Sequence, residues 1–128
     1  MQTIGRISGR TTFRALKNPT GRASRGPFRV AFVPLNRDDG QGTAEVGYAV
    51  GRRCGNAVVR NRLRRQLREA VRQECPDLSP GAYLVSAAPS ATTLAYRQLA
   101  TAVCQAMQDA ARRGGAQAGP TVVDRSDG

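Results

Sequence analysis

Between Asn56 and Cys75 the apolar positions recur at helical spacing. At about 100° per residue, Val59, Leu63, Leu67, Ala70 and Val71 gather on one arc, and Asn61, Arg62, Arg64, Arg65, Arg68 and Arg72 gather roughly opposite. The pattern predicts a helix of about five turns, with Asn56 as its N-cap after Gly55 and with Pro76 and Asp77 closing it. Upstream the period changes to two. Phe28, Val30 and Phe32 alternate with Arg29, Ala31 and Val33 in a strand over Pro27–Val33, and Val46, Tyr48 and Val50 alternate with Gly47 and Ala49 in a second strand expected to run antiparallel to it. The turn formers Asp38, Asp39, Gly40 and Gly42 join the two. Thr11 or Thr12 can cap a short early helix holding Phe13 and Leu16, which Asn18, Pro19, Thr20 and Gly21 then stop. Ala82–Ala87 is a short apolar run between Pro80-Gly81 and Pro89, which suits a buried strand. From Ala91 to Arg113, Ala95, Leu99, Ala102, Val103, Ala106 and Ala110 mark a packing helix that Thr92 or Thr93 can cap, with Leu94 and Met107 flanking its stripe.

This order, helix, strands, helix, strand, helix, predicts one α+β domain over residues 1–113, with helices against one central, mainly antiparallel sheet. Residues 114–128 hold turn formers and mixed charge with little that could pack, and are expected to form a disordered tail.

Charge turns the helix from a structural element into a candidate binding surface. The chain has a formal net charge of +11, and all its cationic residues but Lys17 are arginine. Arginine's planar fork suits phosphates and base edges better than an ammonium does. Only Glu69 offsets the six arginines Arg60, Arg62, Arg64, Arg65, Arg68 and Arg72, so their repulsion calls for a polyanion. No acid precedes Asp38, although Arg6, Arg10, Arg14, Lys17, Arg22, Arg25, Arg29 and Arg37 do, which makes a second source of positive field.

Nothing near the amino terminus forms an apolar signal region, and no run approaches the length of a membrane span, so a soluble, cytoplasmic protein with no membrane contact is expected. Cys54, Cys75 and Cys104 are odd in number and lack CxxC spacing, so reduced thiols are expected and no zinc site is indicated. Cys54, beside Arg52 and Arg53, is read as a structural thiol.

The approach to the arginine helix carries a motif. Arg52, Arg53, Gly55, Ala57, Val58, Arg60, Asn61, Arg64, Arg65 and Arg68 fill every position of the signature of the protein subunit of bacterial ribonuclease P, several with Arg where Lys is common. The chain resembles that family from about Arg6 to about Met107, including the early Phe13, the strand from Phe28, and the Pro80, Gly81, Tyr83 entry to the late strand. The resemblance implies a ribosomal protein S5 domain 2-like fold with a left-handed β-α-β crossover, against the usual right-handed rule. It also implies that the arginine helix faces a catalytic RNA. With Asn56 and Arg62 added, the expected RNA-binding residues are Arg52, Arg53, Asn56, Arg60, Asn61, Arg62, Arg64, Arg65 and Arg68. Arginines near the helix start can grip phosphates alongside its N–H groups, and Asn61 offers one acceptor and two donors to a base edge or 2′-hydroxyl.

In the family, a cleft of the sheet and first helix takes the 5′ leader of precursor tRNA. Phe13, Phe28 and Phe32 match its aromatics, and stacking on an aromatic tolerates any base. Phe13 and Phe32 fit a core as well as a cleft, while Phe28 leans to the cleft. A second aromatic commonly follows Phe13 by about one turn; Leu16 or Lys17 stands there, which shifts leader binding toward charge.

The chain has no histidine, which removes the commonest general base and transition-metal ligand, and leaves Ser and Cys without an imidazole partner. Its acids are scattered or lie in a turn, so no catalytic or metal-ligating residue is expected in the protein. The resemblance implies a non-catalytic subunit of a ribonucleoprotein endoribonuclease whose RNA does the chemistry with Mg2+ held mainly by RNA. Its partners would be the ribonuclease P catalytic RNA and precursor tRNA, with no obligate protein partner evident. The alternative is another basic protein of structured RNA, ribosome-associated or architectural. A DNA reader is disfavoured, because no short-jointed helix pair precedes the arginine helix.

Overall fold

A computed structural model describes residues 3–6, 16–34, 43–75 and 78–114. Five strands, β1 (Thr3–Arg6), β2 (Gly21–Arg25), β3 (Phe28–Val33), β4 (Thr43–Val50) and β5 (Gly81–Ala87), and two long helices, α1 (Ala57–Glu74) and α2 (Tyr96–Arg113), make an α+β domain. The strand order in the sheet is β1-β4-β5-β3-β2. β1 and β5 both run parallel to β4, whereas β3 is antiparallel to both β5 and β2. The sheet is therefore mixed, with as many parallel as antiparallel junctions, where a mainly antiparallel one was expected. β3 and β4 do run in opposite directions, but they are not neighbours: β5 is inserted between them. The central place of β5 explains its uninterrupted apolar run, since Ala82 is buried on one face while Tyr83 and Val85 are buried on the other.

In-register partners share a face of a sheet. Phe28, Val30 and Phe32 of β3 lie opposite Ala87, Val85 and Tyr83 of β5, and Val46, Tyr48 and Val50 of β4 complete that face. Both helices cover it, α1 packing on β4 and on α2, and α2 packing mainly on β2 and β3. The Phe32 and Tyr83 rings meet at 4.9 Å with a tilt of 57° inside this core. Phe28 and Phe32 are both 0% exposed. This corrects the assignment of Phe28 to a leader cleft and places Phe32, which fitted cleft and core alike, in the core: the two-residue period that makes β3 a strand points both rings at the helices, where no base can reach them. Phe13 and the early helix lie outside the described residues, as does the tail beyond Gly114.

β2 was not foreseen, because Gly21–Arg25 reads GRASR and has no β-branched or aromatic residue. Its signal was the hairpin turn. Gly26, at φ +55°, and Pro27 form a two-residue loop that sets Arg25 opposite Phe28. The late helix also starts later than expected. Pro89–Thr93 forms a 3₁₀ turn in which the Thr92 and Thr93 hydroxyls donate back to the Pro89 and Ser90 carbonyls at 2.9 and 2.8 Å, so neither threonine caps α2. At the true start, the Ala95 N–H donates to the Gln98 side-chain oxygen at 3.2 Å.

The expectation of three reduced thiols is likewise corrected. Cys75, which ends α1, and Cys104, in the middle of α2, form a disulfide with Cα atoms 5.6 Å apart. Both sit on the packed faces of their helices, a juxtaposition that only the tertiary fold creates. Cys54 is free and buried.

Candidate nucleic-acid interface

The basic surface is built from β4 outward. The chain leaves β4 through a 3₁₀ turn, Arg52–Cys54, in which buried Cys54 donates its Sγ–H to the Ala87 carbonyl at 3.5 Å and leaves Arg52 and Arg53 exposed. Cys54 thus anchors the approach to α1. Asn56 then caps the helix as expected, its side-chain oxygen accepting from the Val59 N–H at 3.0 Å. No acid stands in the first turn, so the partial positive charge of the helix start adds to that of Arg52 and Arg53.

Leu63, Leu67, Ala70 and Val71 are buried, in agreement with the apolar arc read from the sequence, and they fix the rotation of the helix. Asn61, Arg62, Arg65, Arg68 and Arg72 consequently face solvent. Of the six arginines that form a comb along α1, the remaining two are half-buried and help to hold the helix. Arg60 Nε donates to the Gly55 carbonyl at 3.2 Å. Arg64 donates through one Nη to Asn61 Oδ1 at 2.9 Å and through the other to the Val50 carbonyl at 3.4 Å, tying the helix to the end of β4.

These contacts divide the expected RNA-binding residues by what each still has to offer. Arg52, Arg53, Arg62, Arg65 and Arg68 project exposed forks with no hydrogen-bond or ion-pair partner among the described residues. Arg60 and Arg64 spend donors on the fold. Asn56 spends its amide oxygen on the cap and Asn61 shares its own with Arg64, so the amide N–H groups remain the open half of each asparagine. Arg72, one turn beyond Arg68 and equally exposed, extends the row to about 15 Å from Arg62 at 1.5 Å per residue. Its i+4 spacing from Arg68 already placed it on this face.

Among the described residues, no carboxylate forms an ion pair with any arginine of α1; the pairs present lie elsewhere. Glu69 accepts from the Gln73 side chain on its own helix. Burial first, and then the nearby Glu74 and Glu69 carboxylates, push the Tyr96 phenol up, which places both acids on the flank of α1 toward α2. Acid and base thus occupy different sides of one helix, and the repulsion inferred from the sequence persists in the fold.

A second group of arginines is largely spoken for. Asp109 accepts from Arg25 Nε at 3.1 Å and Nη2 at 2.7 Å and also pairs with Arg112, and those bonds, Arg25 first, hold its carboxyl below the usual range. Arg113 donates to the Arg22 carbonyl at 2.9 Å. The sheet face away from the helices is different: toward β2 it carries Arg22 and Ser24 of β2, Arg29, Ala31 and Val33 of β3, and Leu84 and Ser86 of β5, a cationic, hydroxyl-bearing strip with no aromatic among the described residues, and toward β4 it continues through buried Ala82 and the buried carboxylate of Glu45. The two-residue alternation that buries Phe28 and Phe32 is the signal that could have assigned Arg22 and Arg29 to this face.

Among the described residues, no three His, Cys, Asp or Glu side chains converge. No helix among them is long and apolar enough to cross a membrane.

Comparison with known proteins gives a consistent result. The family model of ribonuclease P matches residues 1–111. The ribonuclease P protein component of Thermobifida fusca is 34% identical over 125 residues, covering 94% of this chain and 85% of that protein. That of Synechococcus sp. (strain JA-2-3B'a(2-13)) is 39% identical over 93 residues, covering 72% and 69%. Among solved structures, the fold is similar to the RNase P protein of Staphylococcus aureus, with a TM-score of 0.68, 19% identity and coverage of 80% and 92%. It is also similar to that of Thermotoga maritima, with a TM-score of 0.66, 20% identity and coverage of 80% and 94%.

Proposed function

The chain belongs to the ribonuclease P protein family, a component of tRNA 5′ processing that works with an RNA subunit, and on that premise we propose that it docks on the catalytic RNA through the solvent face of α1. The observation that carries this reading is the row Arg62, Arg65, Arg68 and Arg72, exposed, rigidly backed by Leu63, Leu67 and Val71, and without a carboxylate partner among the described residues. A solvated helix face of ordinary kind interleaves acids with bases. Arg52 and Arg53, with the helix start behind them, add phosphate contacts at one end, and the amide N–H groups of Asn61 supply donors for a base edge or 2′-hydroxyl.

The 5′ leader of precursor tRNA is assigned to the opposite sheet face. With Phe28 and Phe32 in the core, leader binding there rests on Arg22 and Arg29 and on the hydroxyls of Ser24 and Ser86. A phosphate-reading strip is indifferent to base identity, which suits leaders of varied sequence. Bond cleavage is assigned to the RNA subunit with its magnesium, and no protein side chain takes a step in it. The protein's part is to hold two RNAs on the two sides of one domain.

The experiment is precursor-tRNA cleavage by RNA-free protein, by cognate catalytic RNA, and by both together at near-physiological salt. The reading requires no cleavage by the protein alone and a higher cleavage rate with both components than with RNA alone. Metal-dependent cleavage by the RNA-free protein would overturn the assignment of chemistry to RNA, and absence of stimulation would overturn the subunit assignment.

A further inference from the structure

Tyr48 lies on β4 between buried Val46 and Val50, on the sheet face that the helices cover, and its ring packs against the core. It is nevertheless only half-buried, because it stands at the border where α1 crosses β4. The other tyrosine of this face shows how the fold satisfies a buried phenol: the Tyr83 hydroxyl donates to the Ser79 carbonyl at 2.6 Å. Tyr48 makes no such bond among the described residues. Packing at this position asks only for an apolar body, so the hydroxyl is surplus to the core.

α1 runs back along β4, since the β4 and β5 that it joins are parallel, and Arg64 bonds the Val50 carbonyl at 3.4 Å. One turn on, at about 6 Å of rise, Arg68 comes level with Tyr48, two residues back along the strand, with Arg72 beyond it, and the charges of both guanidiniums bear on that hydroxyl. They would favour its ionisation, yet burial outweighs them and the phenol is pushed up to about 12. At neutral pH the group is a neutral O–H flanked by two cations. It therefore offers a hydrogen-bond donor without cancelling either positive charge.

We propose that Tyr48, Arg68 and Arg72 together form one phosphodiester-binding site, in which the Tyr48 hydroxyl donates to a backbone phosphate of the bound RNA that the two arginines neutralise. The inference rests on the docking face proposed above and deepens it, extending the RNA surface from the helix onto the strand beneath. It also gives the comb a fixed point. Arginine forks on an exposed helix face swing, whereas a tyrosine whose ring is packed in the core presents its hydroxyl in one place, so the phosphate is located as well as attracted.

The test uses the full chain and the cognate catalytic RNA. Tyr48→Phe keeps the ring and removes the hydroxyl. Affinity should fall about 10- to 150-fold, as for loss of one hydrogen bond to a charged group, with the melting temperature and the salt dependence of binding unchanged. Arg68→Ala should lower both affinity and salt dependence, and in that background Tyr48→Phe should cost less than about twofold, because the phosphate is no longer held. Wild-type affinity in Tyr48→Phe, or an equal loss in both backgrounds, overturns the shared site. Arg65→Ala, outside the trio, separates the two levels: if it weakens binding while Tyr48→Phe does not, only the tyrosine's role fails, and if neither has an effect, the docking face itself fails.

Discussion

Replacement of Arg62, Arg65 and Arg68 together by Ala isolates the electrostatic part of the interface. All three side chains are exposed and none pairs with a carboxylate among the described residues, so their removal takes nothing from the core. Exposed positions of this kind change stability by no more than about 0.5 kcal/mol, and relief of mutual repulsion works in the favourable direction. Binding behaves differently. Each phosphate contact adds about 0.7 to 0.9 to the slope of log K against log salt, so three contacts account for a slope difference of about 2.1 to 2.7. Over a fourfold rise in monovalent salt, from about 50 to about 200 mM, the wild-type protein should lose about 20- to 40-fold more affinity than the triple variant. The assay is filter binding of the cognate catalytic RNA at fixed magnesium across that range, with a thermal melt of each protein alongside. An unchanged slope with an intact fold would show that these arginines face solvent and not phosphate, and would refute the docking face.

Three further outcomes test the fold and its chemistry. The Cys75–Cys104 disulfide closes a loop with a sequence separation of 29, which corresponds to about 3–4 kcal/mol of chain entropy; a reductant should lower the melting temperature by at least about 10 °C in the wild type and not in a Cys75→Ala/Cys104→Ala variant, and identical wild-type melts with and without reductant would contradict the bond. Gly81 adopts φ +149°, and a Cβ there would lie 2.4 Å from the Phe32 ring and 2.8 Å from the Val33 carbonyl, so Gly81→Ala should yield little soluble protein or a sharply reduced urea midpoint, whereas a normal midpoint would show that β5 enters the sheet differently. Burial raises Tyr48 to about 12 and pushes Tyr83 higher still, the latter partly opposed by its bond to Ser79. Unfolded tyrosines ionise near 10, so their contribution to stability is whole below about pH 10 and is lost as pH rises toward the folded values; urea midpoints should be flat to about pH 9 and fall above about pH 10, and a flat profile to about pH 11.5 would refute the burial of these phenols.

The sequence foretold the parts of the fold in which a single period speaks for a whole element. The apolar arc of α1 named Leu63, Leu67, Ala70 and Val71 as its buried face, and Asn56 as its cap, because both signals are local to the helix. Strand neighbours are not local. The insertion of β5 between β3 and β4 joins residues dozens of positions apart, and nothing in the alternation of either strand encodes it. β2 escaped notice because GRASR has no β-branched or aromatic residue to mark an alternation, and Thr92 and Thr93 misled because a hydroxyl can bond backward as readily as forward. Phe28 leaned to the cleft, and Phe32 stood between cleft and core, although the alternation of Phe28, Val30 and Phe32 with Arg29 and Ala31 already marks the apolar face as the one to be covered; the aromatics that the family resemblance implies for the cleft outweighed that signal. Docking of α1 and α2 on the sheet brings Cys75 to Cys104 and brings the charges of Arg68 and Arg72 to bear on Tyr48, so a disulfide and a candidate phosphate site both lay beyond what spacing could reveal.

In the proposed docking, the outer face of α1 meets the catalytic RNA. Ultraviolet crosslinking of the reconstituted ribonucleoprotein, followed by mass spectrometry of the crosslinked peptides, reads that contact directly. Crosslinks to the catalytic RNA should concentrate between Arg52 and Arg72 and at Tyr48, and should be lost when Arg62, Arg65 and Arg68 are replaced. Crosslinks to that RNA confined to α2 and the β2 edge, with the arginine helix unmarked, would contradict that docking.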